Sequence, residues 1–482
     1  MIDKNIRACN DSELKVAHNE YLVAVRNQTD SIEMLESRMM HLYAKHPEFV
    51  DTYKPLSWKD VQARLSKKDV AIEFALTEKN ATSPAMFVAL LLQHNAQNPI
   101  VVPLCNYDDL KNLIDKYTDS QTGYANIYDI PDNSLYQLLW SPLQDYLKGV
   151  KNIYFAPYDL LNNINFSAIR FEDTKKRIGD MYSLHRLSST AKLCESASDD
   201  TYKKMVAFGG IDYNNYDSLV NTTQSAHKSS NSDDSYSDVR GLVKEWNTLD
   251  KTKPEVQHIQ SALTKSDIAI QVHTDTNASE EQFKKLSGDS VNIIHLATHG
   301  YYFKANDAKK MLFFNNPNRE IPMNIDSGAR SGLILSGGNI AWKGETPTGR
   351  EDGVLTAKEI LGMDLSSADL VVLSACQTAL GDIRNDGIYG MQRNIKMAGA
   401  KSMIMSLWQV SDEATEIMMT AFYRNLSHGN SKKQAFNKAI AKVRKAYQKK
   451  FQKGKDSQKH RDIGSTARDD SSYYWAAFVQ LD

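Results

Sequence analysis

Two stretches decide the fold of this chain: VNIIHLATHG at 291–300 and DLVVLSACQTALGD at 369–382. Each is a short apolar run that stops abruptly in small and polar residues. Unbroken apolar runs of this length mark strands covered on both faces in a parallel sheet. The first run leads to His299 and the second to Cys376. In α/β proteins the carboxyl ends of parallel strands border the crevice that receives ligands. The two runs would therefore bring an imidazole and a thiol to one place, a combination that makes a cysteine nucleophile plausible.

The elements around these runs alternate as βαβ units do. Strands are expected at 205–209, 268–272, before His299, before Cys376 and at 402–408, with YYWAAFVQLD as a closing strand. Helices are expected at 255–263, 280–286, 356–361 and 388–397, followed by two more, the last opening at Ser431 with Gln434 in capping-box spacing. The histidine then follows the third strand and the cysteine the fourth. Upstream, 58–204 reads as another α/β unit, with a helix at 61–65, strands at 71–75, 85–93, 100–103 and 152–156, a helix at 134–146 and a further apolar segment through Leu187. It carries no clustered catalytic set. Residues 12–47 repeat Leu22, Val25, Ile32, Leu35, Met39 and Leu42 at helical intervals, as an amphipathic helix or hairpin would. The domains expected are 1–57, 58–204 and 205–482.

Composition fits a globular α/β protein: 482 residues, 41% hydrophobic and 24% charged, are enough for two domains or three. A formal net charge of -1 gives no global electrostatic reason to bind nucleic acid or an anionic membrane. The first residues lack the apolar core of a secretory signal, and no run approaches the roughly 20 apolar residues that span a bilayer. A cytoplasmic protein with no membrane segment is expected. The four cysteines, Cys9, Cys105, Cys194 and Cys376, show no CxxC spacing, so neither a disulfide framework nor a zinc site is suggested, and no metal or cofactor is expected. Three polar stretches, 214–240, 304–330 and 449–472, read as loops too poor in apolar surface to need ordering.

Each candidate has two readings from the residues alone. Cys376, among Ser374, Ala375 and Gln377, is either a buried structural cysteine or an accessible nucleophile at a strand end. His299 is either a surface loop histidine or a base. Gly300 after it allows a sharp turn, and its amide, with that of Cys376, would suit an oxyanion. His295 lies inside the strand and reads as a satisfied core histidine. Asp412, which ends SLWQVSD (406–412), is either a carboxylate at a helix start or a partner for a cationic substrate side chain.

At these residues the sequence resembles the CHAT family, caspase-like cysteine peptidases related to caspases and separase and often joined to tetratricopeptide repeats. The strings that carry the likeness are HLATHG, EDGVLTAKEIL (351–361), LVVLSACQTALGD (370–382), GIYGMQRNIKMAGAKSMIMSLWQVSD (387–412) and YYWAAFVQL (473–481). LYQLLWSPLQDYL (135–147), LHRLSST (184–190) and FGGIDY (208–213) extend it upstream. The resemblance implies a three-layer caspase-like sandwich in which a degenerate unit precedes an active one. It implies that His299 assists attack of the Cys376 sulfur on a peptide carbonyl, with the oxyanion on the Gly300 and Cys376 amides. SLWQVSD is similar to a separase segment that lines the pocket for a basic residue, which implies substrate-binding roles for Asp412 and Trp408 and cleavage after Arg or Lys. Asp382 is a second candidate for that pocket. A protein substrate is implied, with a regulatory or activating protein as a further partner, in a bacterial stress, defence or cell-death pathway. The alternative is a catalytically silent caspase-like scaffold. No tetratricopeptide repeat is visible here, and IRNDGIYG stands where the family has a glycine-rich stretch.

Overall fold

The computed structural model describes residues 6, 9–27, 32–43, 45–46, 56–79, 83–118, 123–129, 133–171, 176–195, 201–216, 245–264, 266–303, 330–343, 350–375, 382–384, 387–408, 411–452 and 472–482. Cys376 lies outside these residues, as does most of each of the three polar stretches. The chain divides into two compact units, Met1–Val61 and Gln62–Asp482.

The first unit is a helical hairpin, α1 (Ser12–Asn27) and α2 (Ile32–Tyr43). Leu14 and Ala17 of α1 close on Met39, Leu42 and Tyr43 of α2, with Ile6 and Cys9 completing the small core. Tyr21 packs against it, but Leu22, expected on the apolar seam, is 38% exposed. One residue turns a helix by about 100°, so the position after Tyr21 points off the buried face.

The second unit opens with a five-stranded sheet. Its strands are β1 (Asp69–Leu76), β2 (Met86–Gln93), β3 (Ile100–Asn106), β4 (Asn152–Ala156) and β5 (Ser183–Arg186), in the order β3-β2-β1-β4-β5. The first three form an antiparallel meander, and β4 and β5 run parallel to β1. Between them lie α3 (Tyr107–Thr118) and α4 (Ser134–Leu139). The helix expected at 134–146 stops at Leu139 and continues as a 3-10 turn, Ser141–Leu147. Pro142 explains the break, since it has no N–H to donate and its ring crowds the carbonyl four residues back.

From residue 204 the chain builds a six-stranded sheet. β6 (Lys204–Ile211), β7 (Ala269–Asp275), β8 (Ile293–Ala297), β12 (Leu370–Ser374) and β15 (Met403–Ser406) are parallel, and β16 (Phe478–Leu481) closes the edge antiparallel, in the order β16-β15-β12-β8-β6-β7. The helices are α5 (Thr252–Leu263), α6 (Glu280–Lys284), α7 (Gly338–Trp342), α8 (Ala357–Leu361), α9 (Met391–Met397), α10 (Asp412–Ser427) and α11 (Lys432–Gln452). β8 and β12 are buried at every position, which accounts for their unbroken apolar sequences. Two short additions are absent from the sequence reading. One is a three-stranded antiparallel sheet of β9 (Gly300–Tyr302), β10 (Ser331–Ile334) and β11 (Val354–Thr356). The other is a hairpin of β13 (Asp382–Arg384) and β14 (Gly387–Tyr389), whose pairing removes 388 and 389 from the helix expected at 388–397.

The two larger sheets share one apolar core and meet edge to edge. The Asp482 amide donates to the Arg186 carbonyl at 3.1 Å, next to the edges of β16 and β5. Asn165, from the first sheet's connections, donates to the Ala476 carbonyl at 2.8 Å.

A buried polar network lies under β8. His295 is fully buried, with Nε2 2.9 Å from Glu255 of α5 and Nδ1 3.1 Å from the Tyr423 hydroxyl of α10. It is the satisfied core histidine that its strand position suggested. In a low-dielectric interior each partner is costly to lose.

Candidate active site

The sheet register brings the two signature runs together. Ser374 of β12 pairs with Ala297 of β8, so both strands leave the sheet on the same side, two residues before Cys376 and His299. The fully buried Ser406 donates from its hydroxyl to the Ala375 carbonyl at 2.6 Å, fixing the peptide that leads into position 376.

His299 sits half-buried in an aromatic slot. Tyr213, after β6, lies 5.1 Å from it between ring centroids, and Trp246 lies 5.0 Å away. Its Nε2 is 2.7 Å from the carbonyl oxygen of Asn247. A carbonyl oxygen only accepts, so in the neutral ring the proton is on Nε2 and Nδ1 carries the lone pair. Burial lowers the His299 pKa below its ordinary 6.5, and the Asn247 bond and the Asp412 charge oppose that shift. The ring is thereby held neutral and able to accept a proton near neutral pH.

The preceding Thr298 locks the turn: its hydroxyl donates to the Ile334 carbonyl and lies 3.2 Å from the Tyr213 hydroxyl. The Ile334 amide donates to His299 O at 3.0 Å and the Phe303 amide to Arg330 O at 2.9 Å. Bonded pairs alternate along an antiparallel ladder, so the intervening Gly300, paired with Leu333, directs its N–H away from β10. β9 is the edge strand of its sheet, and among the described residues no strand lies on that side.

Residues 130–481 match the CHAT domain. The chain belongs to the CHAT-domain family. Over 90 residues, 19% of this chain, it is 34% identical to Tetratricopeptide repeat protein 28 of Mus musculus and 32% identical to its Homo sapiens counterpart. The match spans 4% of the length of those relatives. Among solved structures it is similar to the Arg specific cysteine proteinase gingipain R, at 8% identity and a TM-score of 0.37, covering 77% of this chain and 72% of that one. It is also similar to the Saccharomyces cerevisiae separase-securin complex, at 10% identity and a TM-score of 0.44, covering 88% of this chain and 30% of that one.

Within the CHAT domain, the EDGVLTAKE string has a structural explanation. Lys284 of α6 donates to Glu280 at 2.8 Å, Glu351 at 2.8 Å and Glu359 at 2.9 Å. Glu280, 1% exposed, also accepts the Gly353 amide at 2.8 Å. Gly353 has φ +78°, and a Cβ there would collide with the Ser336 carbonyl, so the turn requires glycine. Thr356 and Glu359 form a capping box on α8. Burial pushes the Glu280 carboxyl well above the usual carboxylate range, Glu359 adds to this, and Lys284 opposes it. Burial disfavours the charge on Lys284, but the carboxylates of Glu280 and Glu359 outweigh it and keep the ammonium charged. Three carboxylates with this grouping also suit a metal ion, and here the Lys284 ammonium bonds to all three. This cluster pins α6, the 351–353 turn and α8 beneath the small sheet.

The remaining candidates of the CHAT domain part company. Asp412 opens α10, with Ser411 capping from the preceding position, so its helix-start reading holds. Partial burial raises its carboxyl pKa; the charge of His299 opposes the shift and that of Asp250 adds to it, so Asp412 belongs to the His299 neighbourhood as well. Trp408 is 2% exposed, its ring 5.8 Å from Tyr128 and its indole N–H 3.3 Å from the Tyr473 carbonyl. So enclosed, its indole packs within the core in this structure. Asp382 begins the β13–β14 hairpin opposite Tyr389, beside the 3-10 turn Asp159–Asn163. Trp246 and Asn247 did not emerge from the sequence, where the signal was a lone tryptophan in a polar stretch, and Tyr213 appeared only as the last residue of FGGIDY, with no role attached.

Among the described residues no helix is long and apolar enough to cross a membrane.

Proposed function

We propose that this CHAT domain is a cysteine endopeptidase that cleaves a protein substrate after Arg or Lys. The observation that carries the proposal is the His299 ring, clamped through Nε2 with no hydrogen bond to Nδ1 among the described residues, after the strand next to the one that leads to Cys376. The Cys376 thiol gives its proton to His299 Nδ1 and the sulfur attacks the scissile carbonyl carbon. The carbonyl oxygen, now anionic, is stabilised by the Gly300 and Cys376 amides. The C–N bond breaks, His299 protonates the leaving amine, and water hydrolyses the thioester with His299 again taking a proton. Asp412 pairs with the basic side chain before the cut. The pathway reading remains bacterial stress, defence or cell death, with a protein regulator.

Fluorogenic peptides differing only in the residue before the cut test the proposal. Turnover after Arg and Lys is expected, with Asp412→Asn reducing kcat/KM on those peptides about 10- to 100-fold, the loss expected when a charge-assisted pair is removed. Neutral peptides should be hydrolysed equally by both proteins at pH values above the acid limb. Because Asp412 raises the His299 pKa, the acid limb of the rate profile should move to lower pH in Asp412→Asn. An electrophilic Arg peptide that fails to label Cys376 while labelling another cysteine would sink the reading in favour of a silent scaffold.

A further inference from the structure

We infer that Asn339 is a positioning residue that sets the tautomer and orientation of His299; the inference rests on His299 being the base. Asn339 opens the second position of α7 and is 1% exposed, although its side chain is a primary amide. Such a group is kept in an interior only when its donors and acceptor are all satisfied. Its Oδ1 accepts the Trp246 amide at 2.8 Å, and its Nδ2 donates to the Trp246 carbonyl at 3.0 Å and to Asn214 Oδ1 at 2.9 Å.

The bonds to Trp246 fix one wall of the His299 slot. Trp246 is held at both its backbone groups by one side chain, and one peptide further on the Asn247 carbonyl receives the His299 Nε2 proton. The Trp246 indole packs edge-on to Trp342, one turn along α7, at 5.3 Å, and its other neighbour is His299. The opposite wall, Tyr213, is tied to the same residue, because the Asn339 amide donates to the Tyr213 carbonyl at 2.9 Å. The Gly337 amide adds a bond to the Asp212 carbonyl at 3.1 Å. At φ +76° Gly337 is a left-handed turn, and a Cβ there would strike the ring of Tyr216. Two segments separated in sequence, 212–216 and 245–247, thus both bond to Asn339, with the catalytic ring between them.

Without the Asn339 side-chain amide, the Trp246 backbone loses its partner on α7 and the Asn247 carbonyl is no longer held against Nε2, while the backbone bond to Tyr213 remains. His299 can then carry its proton on Nδ1, the nitrogen meant to accept the thiol proton. The test is 15N NMR of histidine-labelled protein, His299 being assigned through His299→Gln. In the wild type the neutral ring is expected to carry its proton on Nε2 and to titrate below 6.5. In Asn339→Ser, the Nδ1–H form should become appreciable and the titration should move further below 6.5, because the Asn247 bond that opposes the lowering is lost. On Arg peptides kcat should fall about 10-fold or more with little change in KM, as expected for a misaligned reacting group. Asn214→Ala removes one bond to Asn339 but leaves the Trp246 clamp, so its His299 signals should stay wild-type. If Asn339→Ser does not fold, Asn339→Asp keeps the volume and the acceptor for the Trp246 amide while losing the donor, and should shift the tautomer in the same direction. A folded Asn339→Ser or Asn339→Asp with an unchanged His299 tautomer and titration would overturn the inference. If the tautomer shifts but the wild type hydrolyses no peptide, the positioning role stands and the peptidase reading falls.

Discussion

His299→Gln is expected to lower kcat/KM for Arg peptides by about 10³-fold, the scale of losing a general base. Glutamine can still donate from its side-chain nitrogen to the Asn247 carbonyl, so the slot between Tyr213 and Trp246 should survive and the loss should report proton transfer rather than collapse. The pH profile provides the second reading. In the wild type, activity should decline as pH drops through the His299 pKa, which burial sets below 6.5. The sign follows from the chemistry: only the neutral imidazole accepts the thiol proton, and the lowered pKa extends neutrality to more acid solution. In His299→Gln this acid limb should vanish, leaving a shallow rise towards alkaline pH as the thiol itself ionises. Steady-state rates between pH 5 and 9 settle it; an unaltered acid limb in the variant would remove His299 from the mechanism.

The second large effect concerns stability. Lys284→Met should destabilise the α/β body by about 3–5 kcal/mol, the usual cost of leaving a buried charge without its partner. Methionine matches the length of the lysine stem, so lost packing contributes little and the loss comes from Glu280, Glu351 and Glu359 facing one another uncompensated. The gap between variant and wild type should depend on pH. Lys284 opposes the upward shift of Glu280, so without it the Glu280 carboxyl titrates higher still. A group with a raised folded pKa loses its stabilising contribution as pH rises. Urea midpoints should therefore lie closer together near pH 5 than near pH 8. Equal gaps at both pH values would mean that the lysine acts through packing and not through charge.

Much of this arrangement was legible because burial on both faces leaves a plain mark in sequence. β8 and β12 are apolar at almost every position, and their abrupt ends located His299 and Cys376. His295 was readable as a core residue from its place within the run, and Asp412 as a helix-start residue from the Ser411 that caps it. The small sheet was not legible, because strands of three or four residues such as GYY, SGLI and VLT are too short to show a period. The His299 slot was hidden for a different reason. Tyr213, Trp246, Asn247 and Asn339 come from separate segments with no common spacing, and only the packing of α7 joins them. Trp408 stands in a string associated with a pocket, and the burial of its ring against Tyr128 was not legible from that string.

The meeting of β5 and β16 bears on how such a chain is made. Every other described strand precedes residues 478–481, so while a ribosome is still delivering the chain, the free edges of β15 and β5 both lack their final neighbour. Exposed strand edges invite pairing with other chains. The nascent protein would pass through a stage in which two such edges are bare, and the late arrival of four residues ends it.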